Sequence, residues 1–215
     1  MVNPSLLNQF LDPKSRYAFS DYFDLSLASR DIARGFGYSL DQSDDLLLLF
    51  RTEKESDLIW LQRTLEVNQR RNPLENEMSR RAAIVSPILT EVCEIADLKL
   101  DTEYTISVSP HLVGIVDYQI EAEVSLLIVE AKQSDLVRGF KQLIPELIAL
   151  HYWSQKDCAL LFGCVTDGER WQFALLDRAS RVIWQDRRIY PLNALKTLID
   201  SLVAIVGKGA IAPSQ

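Results

Sequence analysis

The sequence predicts an α/β fold, in which a mixed sheet is built on an α-β-β-β-α-β core and follows an N-terminal helical extension. Three observations predict it: a strong helix start near residue 72, three consecutive β segments between residues 103 and 131, and a helix with further strands after them. We therefore expect a helical extension over residues 1–71, the core domain over 72–208 and a frayed tail over 209–215.

The composition is that of a soluble globular protein. Of 215 residues, 47% are hydrophobic and 25% are charged, which provides enough apolar material for a buried core. The longest apolar runs are too short to cross a bilayer, and the N-terminal residues lack the pattern of a signal peptide. We therefore expect a cytoplasmic protein with no membrane partner.

The residue types available limit the metal chemistry. The three cysteines, Cys93, Cys158 and Cys164, have no CxxC spacing and lie in apolar surroundings, and the chain has only two histidines. These features argue against a zinc site and against a conventional catalytic triad. Any bound metal is expected to have oxygen ligands.

The net charge of −7 arises in the middle of the chain. Residues 73–133 carry 4 positive and 11 negative side chains, whereas residues 134–215 carry 10 positive and 8 negative ones. A carboxylate-lined metal site would produce such an acidic middle, and so would a solvated acidic surface. The charge distribution is therefore compatible with a metal site without requiring one.

Helix signals dominate the chain up to residue 72. Residues 20–34 have apolar side chains near helical spacing and are followed by Gly35 and Gly37, and residues 44–70 show a second such pattern. The core then opens with a helix that is predicted to start at Asn72 and to run into the mid-nineties, with Pro73 in its first position. Pro87 should kink this helix because it lacks an amide hydrogen.

The remaining elements follow from alternation and turn signals. Strands are predicted over residues 103–109, 114–120, 125–131, 158–165, 171–176 and 182–184. Helices are predicted over residues 135–153, with Asp135 as the cap, and over 192–206. The predicted order of the core is α-β-β-β-α-β-β.

Charged residues end the most apolar strand. The run LLIVEAK is continuous enough to be buried on both faces, yet it contains Glu130 and Lys132, which point the same way because they are two residues apart. In a regular antiparallel hairpin, the numbers of two directly paired residues always add up to the same sum, and paired residues lie on the same face. Asp117, on the preceding strand, therefore shares the face of Glu130 and Lys132 only if that sum is odd. Pairing of Ile120 with Ser125 meets this condition and puts Asp117 one diagonal step from Glu130.

Such a trio suits metal-dependent phosphate chemistry. Asp117 and Glu130 would hold a hard divalent cation, Mg²⁺ or in its place Mn²⁺, which bridges a phosphate and lowers the pKa of an attacking water. Lys132 would orient that water or offset charge in the transition state. We therefore take these three as the candidate catalytic residues.

The two segments GIVDYQI and LLIVEAK resemble the Asp-(x)n-Glu-x-Lys signature of the PD-(D/E)XK superfamily, which includes restriction endonucleases, Holliday-junction resolvases and RecB-type exonuclease domains. The predicted elements of residues 72–177 also resemble its restriction endonuclease-like α-β-β-β-α-β core. The run NEMSRRAAIVSPIL is similar to the helix before the motif in restriction-subunit and cyanobacterial-type members. The resemblance implies a Mg²⁺-dependent nuclease acting on DNA.

The resemblance also implies a third carboxylate from that helix. Glu77 is the first choice for this metal ligand and Glu91 is the reserve, although a carboxylate beside a helix is more often solvated or paired with a neighbouring arginine. Gln133 and Gln142 are candidate polar contacts near the site.

The chain departs from the superfamily pattern at two positions. Val116 stands before Asp117, where many members have proline. Residue 146 is Glu, four positions after Gln142, where RecB-like members place tyrosine.

Three functions remain open at this stage. The first is a metal-dependent DNA nuclease, for which a homodimer would supply the two active sites that cutting a duplex needs. The second is a catalytically inactive nuclease-fold protein acting as a DNA-binding or assembly module. The third is an unrelated α+β interaction protein whose motif is only a salt bridge, and it predicts an even index sum in the hairpin.

Overall fold

The structure, a computed structural model, describes residues 11–44, 46, 58–123, 125–131, 135–155 and 158–207. It contains an open mixed sheet of eight strands with helices on both faces, which confirms the predicted mixed α/β class. In the part of the chain so described, no helix combines the length and the hydrophobicity needed to span a bilayer.

The helices and strands extend from residue 19 to residue 206. The helices are α1 (Phe19–Asp24), α2 (Ser29–Gly35), α3 (Ile59–Arg71), α4 (Glu77–Arg80), a π-helical turn (Arg81–Val85), α5 (Ser86–Ala96), α6 (Leu136–Trp153), a 3-10 turn (Leu192–Ala194) and α7 (Leu195–Val206). The strands are β1 (Ser39–Ser43), β2 (Leu100–Ser109), β3 (Leu112–Glu121), β4 (Ser125–Ala131), β5 (Leu160–Thr166), β6 (Arg170–Asp177), β7 (Val182–Asp186) and β8 (Tyr190–Pro191).

The sheet has the order β1-β7-β6-β5-β4-β3-β2, and β8 pairs with β6 beside this path. The meander β2-β3-β4 is antiparallel, and α6 then returns the chain so that β5 lies parallel to β4. Every residue of β4 and β5 is buried, as expected for central strands covered on both faces.

Two apolar clusters hold the layers together. One packs α3, α5 and α7 against one face of the sheet, and the other packs α1, α2 and α6 against the opposite face. Side chains of β4 alternate between them: Leu126 and Ile128 belong to the α6 cluster, whereas Leu127 and Val129 belong to the other. All three cysteines are buried with free thiols, as their apolar surroundings predicted.

The N-terminal region is not wholly helical. The pattern over residues 20–34 forms two short helices, and β1 follows them and adds a parallel edge strand beside β7. The α1 helix packs tightly against β3 at Gly114, where φ is 155° and a Cβ atom would lie 2.7 Å from the Phe19 ring. Of the helix predicted over 44–70, the part from residue 59 onward is found as α3. Residues 45 and 47–57 and the tail from 208 onward lie outside the described residues.

The first core helix begins four residues later than predicted. Asn76, not Asn72, is its N-cap: the Asn76 side chain accepts a hydrogen bond from the Ser79 amide at 2.8 Å. Asn72 instead caps the C-terminus of α3, where its amide bonds to the carbonyl of Asn68. Asn72 and Asn76 are both suited to cap the start of a helix, and the packing of α3 determines that α4 starts after Asn76.

The predicted distortion around Pro87 takes the form of the π-helical turn that precedes α5. Because Pro87 has no amide hydrogen, the Ala83 carbonyl four residues earlier loses its α-helical donor. The side chain of Asn68 on α3 donates to that carbonyl at 2.8 Å. This bond joins α3 to the helix that leads into the sheet.

Candidate active site at the end of the β3–β4 hairpin

The β3–β4 hairpin brings Asp117 beside the end of β4, where Glu130 lies. Tyr118 pairs with Val129 and Ile120 pairs with Leu127, so the paired residue numbers have an odd sum. The sum is odd, as predicted, but the register is shifted by two residues, because Ile120 pairs with Leu127 and not with Ser125. The regular pairing ends at Tyr118 and Val129, and Asp117 and Glu130 are the next residues of the two strands.

The side chains of β3 change from one face of the sheet to the other at Asp117. Val116 belongs to the α6 cluster and Tyr118 belongs to the opposite cluster, although residues two apart in a regular strand face the same way. On β2, Glu103 lies across from this point and has a φ of 54°, a left-handed conformation that is uncommon for residues other than glycine. Irregular backbone on both strands therefore coincides with the candidate aspartate.

Ala131 and Arg81 both bind the carboxylate of Asp117. The Ala131 amide at the end of β4 donates to Oδ2 at 2.9 Å, and the guanidinium of Arg81 lies 3.0 Å from Oδ1. Arg81 also pairs with Glu103, and its guanidinium lies over the ring of Tyr118, 5.2 Å from the centroid. Asp117 is thus fixed to β4 on one side and to the π-helical turn on the other.

Glu130 lies in a buried polar group on the α6 face. The Nε2 atom of Gln142 donates to Oε1 of Glu130 at 2.7 Å and to Oε1 of Glu146 at 2.8 Å. Glu130 is 1% exposed and Glu146 is fully buried. We call Asp117, Glu130, Gln142 and Glu146 the hairpin site.

Burial raises the pKa of Glu146 well above its ordinary value, and the charge of Glu130 raises it further. Gln142 bridges the two carboxyl groups in a dry interior, where two negative charges repel each other, so a proton on Glu146 relieves the repulsion.

The other candidate residues lie in different places. Glu77 is half-buried at the first position of α4, and Glu91 is half-buried in the middle of α5. Among the described residues, no three histidine, cysteine, aspartate or glutamate side chains converge as a metal-binding group, so neither glutamate joins Asp117 and Glu130. Lys132 and Gln133 lie outside the described residues.

Sequence reasoning did not assign a role at the site to Arg81 or Glu146. Arg81 follows α4, and only the tertiary contact with β3 shows that it faces Asp117. A signal for Glu146 was present, since it lies one turn after Gln142 among the apolar residues of α6. A carboxyl group on a buried helical face needs a partner, and that requirement could have linked it to Glu130.

Comparison with the profiles of known protein families finds no family that matches the chain. Comparison with curated proteins finds no matching sequence. The residues of the hairpin site are therefore the basis for a functional proposal.

Proposed function

We propose that the protein is a metal-dependent nuclease of the PD-(D/E)XK type, which hydrolyses phosphodiester bonds of DNA. The observation that supports this most directly is the hydrogen bond that Asp117, on β3, accepts at 2.9 Å from the amide of Ala131, the residue after Glu130 on β4. The chemistry of an Asp-(x)n-Glu-x-Lys motif needs two carboxylates close together at the end of a buried strand. The helix, antiparallel meander, helix and parallel strand around them agree with the core that this superfamily uses.

The donor atoms at the hairpin site are of the kind that a hard cation prefers, although Asp117, Glu130 and Glu146 do not converge as one metal-binding group in the described part of the chain. The donor atoms are all oxygens, which Mg²⁺ prefers, and Oε2 of Glu146 and Oε1 of Gln142 are buried acceptors with no hydrogen-bond partner among the described residues. A surplus of buried acceptors is stabilised by positive charge. Asp117 and Glu130 would hold the ion, which when bound polarises the phosphate and makes a water more acidic.

The protein's own residues have distinct roles in this proposal. Gln142 holds the Glu130 carboxylate in one orientation through a hydrogen bond and also binds Glu146. The Ala131 amide does the same for Asp117. Lys132, two residues after Glu130 in the sequence, would offset the negative charge that develops on the phosphate.

Cleavage of supercoiled plasmid and of labelled oligonucleotides, with Mg²⁺ or Mn²⁺ and with EDTA, tests the proposal. Asp117→Asn, Glu130→Gln and Lys132→Met should each lower the rate by about a hundredfold or more, as when one charge-stabilising group is removed. Asp101→Asn, which changes an exposed carboxylate on β2, should cleave like the wild type. Cleavage that survives all three site changes, or that persists in EDTA, would overturn the proposal.

A second function, a catalytically inactive DNA-binding or assembly module with the same fold, is favoured by the ion pair between Arg81 and Asp117. An arginine on a metal-binding carboxylate competes with the metal ion for it. Calorimetric titration with Mg²⁺ and a DNA-binding measurement separate the two functions. DNA binding without any metal binding, and without cleavage, would support the inactive module.

A further inference from the structure

A cleft opens beside the hairpin site, between the C-terminal end of α6 and the outer strands of the meander. Its volume is about 400 Å³, and its lining includes Tyr104, Gln119, Glu121, Leu126 and Trp153. A cleft of this size accommodates a ligand as small as a nucleoside. We call it the Gln119 cleft.

The side-chain oxygen of Gln119 is buried. Gln119 is 2% exposed, and its Oε1 atom has no hydrogen-bond partner among the described residues. Leaving a buried acceptor in this state costs about 1–3 kcal/mol, so the amide is stabilised if it turns toward a ligand in the cleft. A primary amide offers a donor and an acceptor side by side and selects a ligand with the complementary pair.

Two aromatic side chains form a wall of the same cleft. The Nε1 atom of Trp153 donates to the hydroxyl of Tyr104 at 3.2 Å, which fixes both rings across the gap between α6 and β2. Trp153 nevertheless remains 40% exposed, so its ring is accessible from the cleft. A fixed and accessible indole is a surface on which a planar ring can stack.

The cleft lies next to the proposed catalytic residues. Gln119 follows Asp117 by two positions on β3 and pairs with Ile128, which precedes Glu130 by two positions on β4. Two residues along a strand span about 6.6 Å. Glu121 gives the cleft a negative charge at its far end, which disfavours a phosphate there and favours a neutral ring with amino hydrogens.

We propose that the Gln119 cleft binds a nucleobase of the DNA substrate, with the phosphodiester that joins it lying toward Asp117. The amide of Gln119 pairs with the edge of the base while Trp153 stacks on its face. Adenine matches best, because its amino group and ring nitrogen complement a glutamine amide in two hydrogen bonds. The assignment of this base to a substrate rests on the proposed nuclease function.

Calorimetric titration of the full chain with adenosine, in EDTA, tests the cleft separately from cleavage. Adenosine should bind, and Gln119→Leu and Trp153→Leu should each weaken binding about fivefold or more, as expected for the loss of a paired edge or a stacked face. Trp60→Leu, which changes an indole on α3 that is 79% exposed, is the matched control and should bind like the wild type. Leucine is close to glutamine in size, and Gln119→Leu removes a buried oxygen that has no hydrogen-bond partner among the described residues, so we expect the variant to fold.

The two proposals fail in distinguishable ways. Adenosine binding that depends on Gln119 and persists in Asp117→Asn supports the cleft even if the protein cleaves no DNA. Metal-dependent cleavage without adenosine binding, and unchanged in Gln119→Leu, overturns the cleft and leaves the nuclease proposal standing. Equal binding of N-acetylglycinamide and adenosine would also overturn it, because the cleft would then recognise amides in general.

Discussion

The guanidinium of Arg81 lies 3.0 Å from Oδ1 of Asp117, so the protein itself supplies a positive charge to the carboxylate that the proposed metal site needs. Arg81 belongs to the π-helical turn before α5, whereas Asp117 lies where the side chains of β3 change from one face of the sheet to the other. The pair is largely shielded, with side-chain exposures of 21% for Arg81 and 12% for Asp117. A metal ion and this arginine are therefore alternatives for the same oxygen.

Removing the arginine charge should favour metal binding. Arg81→Gln is expected to tighten Mn²⁺ binding about fivefold, the factor that corresponds to roughly 1 kcal/mol for a partly exposed ion pair. Without metal, the same variant should be less stable by a similar amount, because Asp117 loses its cation. Calorimetry and urea unfolding measure the two effects.

Arg80→Gln is the matched control for this prediction. In the wild type, the guanidinium of Arg80 donates to the carbonyl oxygens of Leu74 and Asp167. The variant should keep the wild-type affinity for Mn²⁺. Equal affinities for wild type and Arg81→Gln would show that the arginine does not compete for Asp117.

The buried Glu146 carboxyl should make stability depend on pH. Folding raises its pKa through burial and through the charge of Glu130, so the folded state holds this proton more tightly than the unfolded chain. The stabilisation from the protonated form is complete below the unfolded pKa of about 4.3 and is lost as pH rises toward the folded value. Glu146→Gln mimics the protonated acid and should abolish this loss.

Urea unfolding at several values between pH 4 and pH 8 measures the effect. The advantage of Glu146→Gln over the wild type should grow with pH, by at most about 1.4 kcal/mol per unit. Glu94→Gln, at an exposed position of α5, should run parallel to the wild type. Parallel curves for Glu146→Gln as well would mean that Glu146 is ionised in the folded state at all these values.

The hairpin could be predicted from the sequence because its signals are local. The apolar run of residues 125–131 gives the exact bounds of β4, and Asp135 caps α6 by accepting the Arg138 amide at 3.0 Å, as expected. The odd index sum was stated as the condition for a shared face, and the observed pairing meets it. The register differs by two residues from the predicted pairing of Ile120 with Ser125, because the turn, and not the pattern of either strand, decides which residues pair.

The surroundings of the site could not be predicted in the same way. The contact of Arg81 with Asp117 joins residues 36 positions apart through helix–sheet packing, which leaves no periodic trace. The start of α4 depends on where α3 ends, since Asn72 and Asn76 both suit a helix cap. Strand β1 is short, polar and at the edge of the sheet, so it lacks the alternation that identifies half-buried strands.

The bond from Asn68 to the Ala83 carbonyl should stabilise the fold only because Pro87 leaves that carbonyl without a helical donor. Asn68→Ala should destabilise the protein by about 1–2 kcal/mol, the cost of an unsatisfied and partly buried acceptor. In a Pro87→Ala background, the new amide at residue 87 can bond to Ala83, so the same change should cost less than about 0.5 kcal/mol.

A double-mutant cycle by urea unfolding measures this coupling. Gln69→Ala, at the next and exposed position of α3, controls for the change in helix composition and should give no coupling with Pro87→Ala. Equal costs of Asn68→Ala in both backgrounds would show that the Ala83 carbonyl does not depend on Asn68. A clear coupling would instead mean that α3 holds the π-helical turn in place, and with it Arg81, which reaches Asp117 from that turn.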